Sequence, residues 1–466
     1  MGRSKADIVA EATAALRGGQ EGIARHQAER LAALVRHARE HSRYYGKRLA
    51  HLPQNVTDVR TLPVLTKQDL MDHFDDLVTD PSIKLADVEA FIRDKTLAGT
   101  QFQGKHYVFN TSGTTGKPAY FLHDFDAMTT YNALTEARGW PLWIDAAGLA
   151  GLQKNAGRIA VLAATGGHFG GQGIVEFGRR QLPNPDSVQL FDVKLPLHEL
   201  VAKLNQFQPA ICSGYATAWY VMAQEQQAGR LRIAPSYVLS GAETLRPDML
   251  QAMNEAWPGV KVRDVYAASE CFGMAFDCGS GWLHVNTDYA ILEPVDAQHH
   301  PVPGGVTGQT TLLTNLSNFL MPLLRYDIGD RLTPKAAPCG CGSPLPAVKV
   351  EGRTDDILVL RAASGQAIPL MPKAIGAVVE ESDGLAKYQL VQVAPDALSL
   401  RIEPTSGTSA AQCWRTVEHR VRRYLEEQGL GNVGVHCAGE PPQRDPRSGK
   451  FLHAWAVAEV KGWHRR

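Results

Sequence analysis

The chain has 466 residues, 44% hydrophobic and 21% charged, which suits one large domain with a real core plus a smaller one. Lys plus Arg and Asp plus Glu number 48 each, so the formal net charge is zero and composition gives no case for nucleic acid or an anionic membrane as partner. The N-terminal stretch lacks a signal peptide's apolar core, no run approaches a membrane span, and seven cysteines do not suit a secreted disulfide framework, so a cytoplasmic protein is expected.

Residues 21–50 carry Ile23, Leu31, Leu34 and Val35 at helical spacing and predict a helix packed on a core. Two short apolar runs, 106–110 and 119–124, flank a Gly/Thr loop. Further buried strands are expected at 158–165, 188–193, 210–214, 236–242 and 262–268, with helices between them near 196–206, 216–228 and 246–256. This alternation predicts an α/β fold whose sheet is mainly parallel and covered by helices, with ligands beyond the carboxyl ends of the strands. Residues 281–335 read as shorter strands with Pro/Gly turns. The character changes after Gly352-Arg353. A helix at 371–382, strands at 387–393 and 397–403, a helix at 411–427 and a last strand at 432–438 fit a small α+β domain. The boundaries expected are 1–352 and 353–466.

The segment Asn110-Thr-Ser-Gly-Thr-Thr-Gly-Lys-Pro118 sits between two strands. Glycines allow backbone N–H groups to turn inward and hydroxyls add donors, so Ser112, Gly113, Thr114, Thr115, Gly116 and Lys117 can form an anion nest. It is not a Walker loop, which would need Gly at 111 and Ser or Thr at 118, where Thr111 and Pro118 stand. The plain alternative is a Gly/Thr-rich hairpin turn.

Thr111-Ser-Gly-Thr-Thr-Gly-Lys-Pro118 resembles the phosphate loop of the acyl-CoA synthetase, adenylation-domain and luciferase superfamily, in the variant of its phenylacetate–CoA ligase branch. Further segments resemble that family in order. Ser240-Gly-Ala-Glu243 resembles the stretch that packs on adenine, giving Gly241, Ala242 and Glu243. Tyr266-Ala-Ala-Ser-Glu270 resembles the motif in which an aromatic residue stacks on adenine, a hydroxyl contacts the α-phosphate and a glutamate holds Mg²⁺. The resemblance gives these roles to Tyr266, Ser269 and Glu270, with Ala268 beside the nucleotide. Carboxylate and phosphate oxygens are the ligands a hard cation prefers. Arg325-Tyr-Asp-Ile-Gly-Asp330 resembles the motif whose last carboxylate accepts the ribose hydroxyls. Gly352-Arg-Thr-Asp-Asp356 resembles the domain junction, with Arg353 near the nucleotide and Asp355 as hinge. Asp445-Pro-Arg-Ser-Gly-Lys450 resembles the loop of the adenylation lysine, Lys450. The sequence departs from the pattern at Asn110, where an aromatic residue is usual. It departs again at Ala267, in place of glycine, and at Ser269, in place of threonine.

The resemblance implies an enzyme with ATP and Mg²⁺ that activates a carboxylic acid as its acyl-adenylate. A mobile small domain then presents a thiol, most often coenzyme A. A carrier protein or an amine is the alternative acceptor, and a monomer or homodimer is expected. Taken singly, Glu270 and Lys450 are ordinary solvated side chains. Their order along the chain gives them these roles.

Cys339-Gly-Cys341, with Cys278 and His284 upstream, offers three thiols and an imidazole, the closed set of a structural zinc. Cys271 is a competing ligand, and two unpaired thiols in a turn are the plain alternative. His198 does not begin a His-Glu-x-x-His motif, because position 202 is Ala. The Gly-rich run 165–171 follows a strand where the family has its acyl-binding loop. Trp140, Trp143, His168, Phe169, Gly170, Tyr215, Trp219 and Ala267 are candidates for an aromatic or small cyclic acid pocket, though any one aromatic is more often core.

Overall fold

The computed structural model describes residues 3–97, 99–111, 119–351, 356–443 and 451–463. Its centre is a nine-stranded sheet. Five strands run parallel, in the spatial order Val188–Asp192, Ile159–Ala163, Ile211–Tyr215, Tyr237–Gly241 and Lys261–Ala268. Ile159–Ala163, Ile211–Tyr215 and Tyr237–Gly241, at the centre of the five, are short and mainly apolar, as expected for inner strands of a parallel sheet. The helices Leu197–Phe207, Ala216–Gln227 and Pro247–Ala256 connect the parallel strands in the manner of strand–helix–strand units. The parallel order stops at Lys261–Ala268. The sheet continues antiparallel through Cys271–Asp277, Leu283–Val285, Ala347–Glu351 and Arg331–Pro334. The expectation of a mainly parallel sheet therefore describes one half of it.

Two smaller sheets lie beside this one. Tyr107–Thr111 pairs antiparallel with Ala119–His123, across the Gly/Thr segment. Ala290–Val295, Thr310–Asn315 and Tyr326–Asp327 form a three-stranded antiparallel sheet. The predicted N-terminal helix is Gly19–His41, with Leu31, Leu34 and Val35 fully buried. A second helix, Lys5–Arg17, precedes it and packs against Phe125–Leu134.

Residues 356–463 build their own four-stranded sheet, ordered Gly434–Cys437, Ala397–Pro404, Leu385–Ala394, Ala454–Ala456. The helix Ala410–Glu427 buries Val417, Val421 and Leu425 against it. Gly434–Cys437 is not the last strand, as the sequence reading expected. Ala454–Ala456 follows and pairs parallel with Leu385–Ala394. The hairpin Leu358–Arg361/Ala367–Leu370 was also not expected. This C-terminal sheet meets the large one through Lys194, whose ammonium lies 3.1 Å from Glu381, itself 3.4 Å from Arg420. Gln428 donates to the Lys194 carbonyl at 2.8 Å. Among the described residues, no helix is long and apolar enough to cross a membrane.

Candidate active site

A cleft of about 2660 Å³ opens at the carboxyl ends of the parallel strands, where a doubly wound sheet leaves a crevice. One wall comes from 169–171, Ser213–Tyr215 and 239–246. The floor is the hairpin of Lys261–Ala268 and Cys271–Asp277. Tyr326–Arg331 closes one side, and Pro372, Lys373, Glu380, Phe451 and His453 of the C-terminal region face it.

Ala268 pairs with Cys271, leaving Ser269 and Glu270 as the turn, and both line the cleft. Two residues before Ala268, the buried Tyr266 donates its hydroxyl to Asp330 Oδ2 at 2.7 Å. Asp330 reaches this point because Gly329 adopts a left-handed φ of +76° and donates its N–H to Asp327 Oδ1 at 3.0 Å. Residues 266, 269, 270 and 330, assigned by sequence to one nucleotide, thus meet in one cleft. The first residue of that second motif has a different task. Arg325 is buried, holds Glu293 at 3.1 Å and donates to the Leu62 carbonyl at 3.0 Å.

Ala242 follows the strand Tyr237–Gly241 with a φ of +61°. A non-glycine residue pays about 1–3 kcal/mol to hold such a conformation, and outliers of this kind gather at working sites. Glu243 accepts from both the backbone N–H and the hydroxyl of Thr217, at 2.9 and 2.7 Å. It thereby satisfies donors at the start of Ala216–Gln227, so this carboxylate helps fix the wall.

Gly170 lets the acyl-loop candidate approach the hairpin. A β-carbon there would sit 3.0 Å from the Phe272 ring and 3.1 Å from Ser269 Oγ. Phe169, Gly170, Tyr215 and Ala267 all line the cleft. His168 is buried, 4.7 Å from the Phe91 ring, and burial lowers its pKa. Trp140 and Trp143 pack with Ile211, Leu239 and Phe276. Both still border the cleft, and Trp143 donates its indole N–H to the Asp277 carbonyl at 2.9 Å. Trp219 is fully buried core.

Sequence reading missed Asp264. It lines the cleft floor one strand period before Tyr266 and accepts from Ser240 Oγ at 2.8 Å. Burial pushes its carboxyl up to about 7, and the nearby Asp277 adds to the rise. No motif marks it. The signal would have been an acid inside an apolar strand run.

At the far end of the hairpin, Cys278, His284, Cys339 and Cys341 bring four donor atoms within 4.8 Å of one another. Cys278 and Cys339 sulfurs are 3.8 Å apart, and Cys341 Sγ is 3.1 Å from His284 Nε2. His284 donates Nδ1–H to the Leu345 carbonyl at 2.9 Å, which leaves Nε2 as the ligand atom. The Ser280 hydroxyl is the largest cause lowering Cys339 to about 6, favouring thiolate there. Cys271 lies elsewhere, buried under the hairpin turn, so the four residues first selected are the ones that gather.

No family model matches the chain. The phenylacetate–coenzyme A ligase of Aromatoleum evansii is 26% identical over 416 residues, 83% of this chain and 83% of that protein. The one of Thermus thermophilus is 25% identical over 464 residues, covering 91% and 93%. The chain is homologous to the phenylacetate–coenzyme A ligases. A crystal structure of 2-hydroxyisobutyryl-CoA ligase with 2-HIB-AMP and CoA has a similar fold, at TM-score 0.56 and 21% identity, over 92% of this chain and 88% of that one. Ser112, Gly113, Thr114, Thr115, Gly116, Lys117, Arg353, Asp355 and Lys450 lie outside the described residues.

Proposed function

We propose that this chain activates a carboxylic acid with MgATP to an acyl-adenylate, then transfers the acyl group to coenzyme A. The observation that carries this reading is the meeting of Tyr266, Ser269, Glu270 and Asp330 in one cleft beside the 165–171 loop. The homology to phenylacetate–coenzyme A ligases supports it.

In the first step a carboxylate oxygen attacks the α-phosphorus and pyrophosphate leaves. A free carboxylate is a poor electrophile, and adenylation supplies the leaving group. Residues 112–117 would hold the β- and γ-phosphates. Glu270 would share Mg²⁺ with phosphate oxygens, Ser269 would donate to the α-phosphate and Asp330 would accept from the ribose. Lys450 would neutralise charge moving between substrate carboxylate and phosphate. In the second step the thiol sulfur attacks the acyl carbon and AMP leaves. Residues 353–466 would act as a small domain turning about Asp355 between the steps, with Arg353 near the nucleotide. Phe169, Tyr215 and Ala267 favour an aromatic or small cyclic acid. Cys278, His284, Cys339 and Cys341 suit a structural zinc, which would cross-link the strands that carry them.

The test is acid-dependent ATP–pyrophosphate exchange over aryl, arylacetic and aliphatic acids, with and without coenzyme A. Exchange with one group names the substrate class, and thioester formation names the acceptor. A carrier protein or amine would be indicated by exchange that coenzyme A leaves unconsumed. ATP binding with no exchange for any acid would overturn the reading. Lys450→Ala should abolish exchange and spare ATP binding. Metal analysis of protein purified without chelators should return about one zinc per chain, as a closed four-ligand site requires, and none would remove that assignment.

A further inference from the structure

Beneath the Ser269–Glu270 turn lies a set of buried polar groups that no motif accounts for. His123 ends the strand Ala119–His123 and is fully buried. Its Nε2 lies 2.9 Å from the Ser269 carbonyl oxygen. A carbonyl only accepts, so Nε2 carries the ring proton and Nδ1 must accept. The Tyr131 hydroxyl, 3.1 Å from Nδ1, is its donor. The Tyr131 oxygen in turn accepts from Asn315 Nδ2 at 2.9 Å. That same Asn315 amide donates to the Glu270 carbonyl, also at 2.9 Å. The orientation of Asn315 is fixed, because its Oδ1 accepts the Ser317 N–H at 3.0 Å. Asn318 adds a bond to the Leu122 carbonyl at 2.7 Å and lies 3.3 Å from His123 Nδ1. The directions follow because carbonyls cannot donate, an amide nitrogen cannot accept and a neutral imidazole carries one N–H.

The relay also keeps one protonation state. Burial lowers His123 to about 4, so the ring is neutral at ordinary pH. Phe272 packs against both Tyr131 and His123, with ring centroids 5.6 and 5.9 Å away. The turn needs such support, because the ladder beside it is irregular between Tyr266 and Ala268. Fixing a free backbone residue costs conformational entropy, and a turn held beforehand spares that cost when ligand arrives.

We propose that His123, Tyr131 and Asn315 are positioning residues for MgATP. His123 and Asn315 hold the Ser269 and Glu270 carbonyls from below and Tyr131 links the two, so that both turn side chains face the cleft. This rests on the reading that Ser269 and Glu270 meet the α-phosphate and Mg²⁺. A network that only satisfied buried groups would stabilise the fold without affecting metal use.

The experiment titrates ATP binding to the full chain by calorimetry at stepped Mg²⁺ concentrations, with melting temperatures as the fold control. Tyr131→Phe keeps the ring and removes one hydroxyl. His123→Leu removes the ring donor, and His123→Gln returns an N–H near the Nε2 position. Tyr131→Phe and His123→Leu should raise the Mg²⁺ needed for half-maximal ATP binding about tenfold, the scale of one lost hydrogen bond. His123→Gln should recover most of that loss. Folded Tyr131→Phe with wild-type Mg²⁺ dependence would overturn the proposal, and it decides the matter if His123→Leu does not fold. Wild-type protein that shows no Mg²⁺-dependent ATP binding would remove the proposed function, and this inference with it.

Discussion

The two halves of the nine-stranded sheet are held by different means. The parallel half is apolar. The strand residues Leu162, Cys212 and Val238 are fully buried, packed with Trp219 of the flanking helix Ala216–Gln227, and the strand ends are left open as the cleft. The antiparallel half is braced by polar cross-links. Asp288, fully buried, takes two bonds from Arg138 at 2.6 and 2.7 Å and a third contact from His26 at 2.9 Å. His26 also reaches Glu11, so both N-terminal helices are tied to the loop after Leu283–Val285. The thiol–imidazole cluster joins Leu283–Val285 to the segment before Ala347–Glu351. Non-directional burial tolerates an open edge for ligand. Strands that must fix Asp330 and the turn at 269–270 depend on directional bonds.

Breaking the polar brace should have the largest effect. Asp288→Ala leaves the Arg138 guanidinium buried and unpaired, and should cost about 3–5 kcal/mol in denaturant unfolding. In the other half, Leu162→Ala should cost about 2–5 kcal/mol through its cavity. The two variants differ in salt and pH response, since only the first removes charge. Acid should separate the halves further. Burial raises the Asp288 carboxyl, but bonds from Arg138 and His26 outweigh it and hold it at about 2. A folded-state value below the ordinary 3.8 means stability that is present above pH 3.8 and lost as pH falls through 2. The loss amounts to about 2 kcal/mol, read from unfolding midpoints across that window, and Asp288→Asn should abolish it. A last effect has the opposite sign. Asp264, raised to about 7, favours the fold while protonated, so its contribution is present below 3.8 and lost as pH rises through 7. Asp264→Asn should flatten stability between pH 3.8 and about 7. An unchanged slope would show that Asp264 is not the group responsible.

The parallel half was legible from sequence because short runs rich in Val, Ile, Leu and Ala alternate with helical segments. All five strands expected there formed, within a residue or two at each end. The polar half was not legible in the same way. His26 and Asp288 are 262 residues apart, and neither belongs to a motif. The strand Ala454–Ala456 is three residues long and carries no alternation to detect. Tyr266, Ser269, Glu270 and Asp330 were singled out by the resemblance of their segments to family motifs, and the fold brings them to one cleft. The residues beneath them were missed: His123 reads as the polar end of a strand and Asn315 as a strand terminus. The aromatic candidates divided by burial. Phe169 and Tyr215 reach the cleft, whereas Trp219 belongs to the core, the commoner fate of a tryptophan in an apolar helix.

The Lys194–Glu381–Arg420 triad has a consequence for the cycle. Its side chains are between a fifth and just over a quarter exposed, so solvent ions reach them. The attraction is a pose-dependent load on any rotation of residues 356–463, and dissolved salt weakens it. If the C-terminal region turns between two half-reactions, ionic strength becomes a brake adjustment. Turnover limited by leaving this pose should quicken as salt rises, and turnover limited by returning to it should slow.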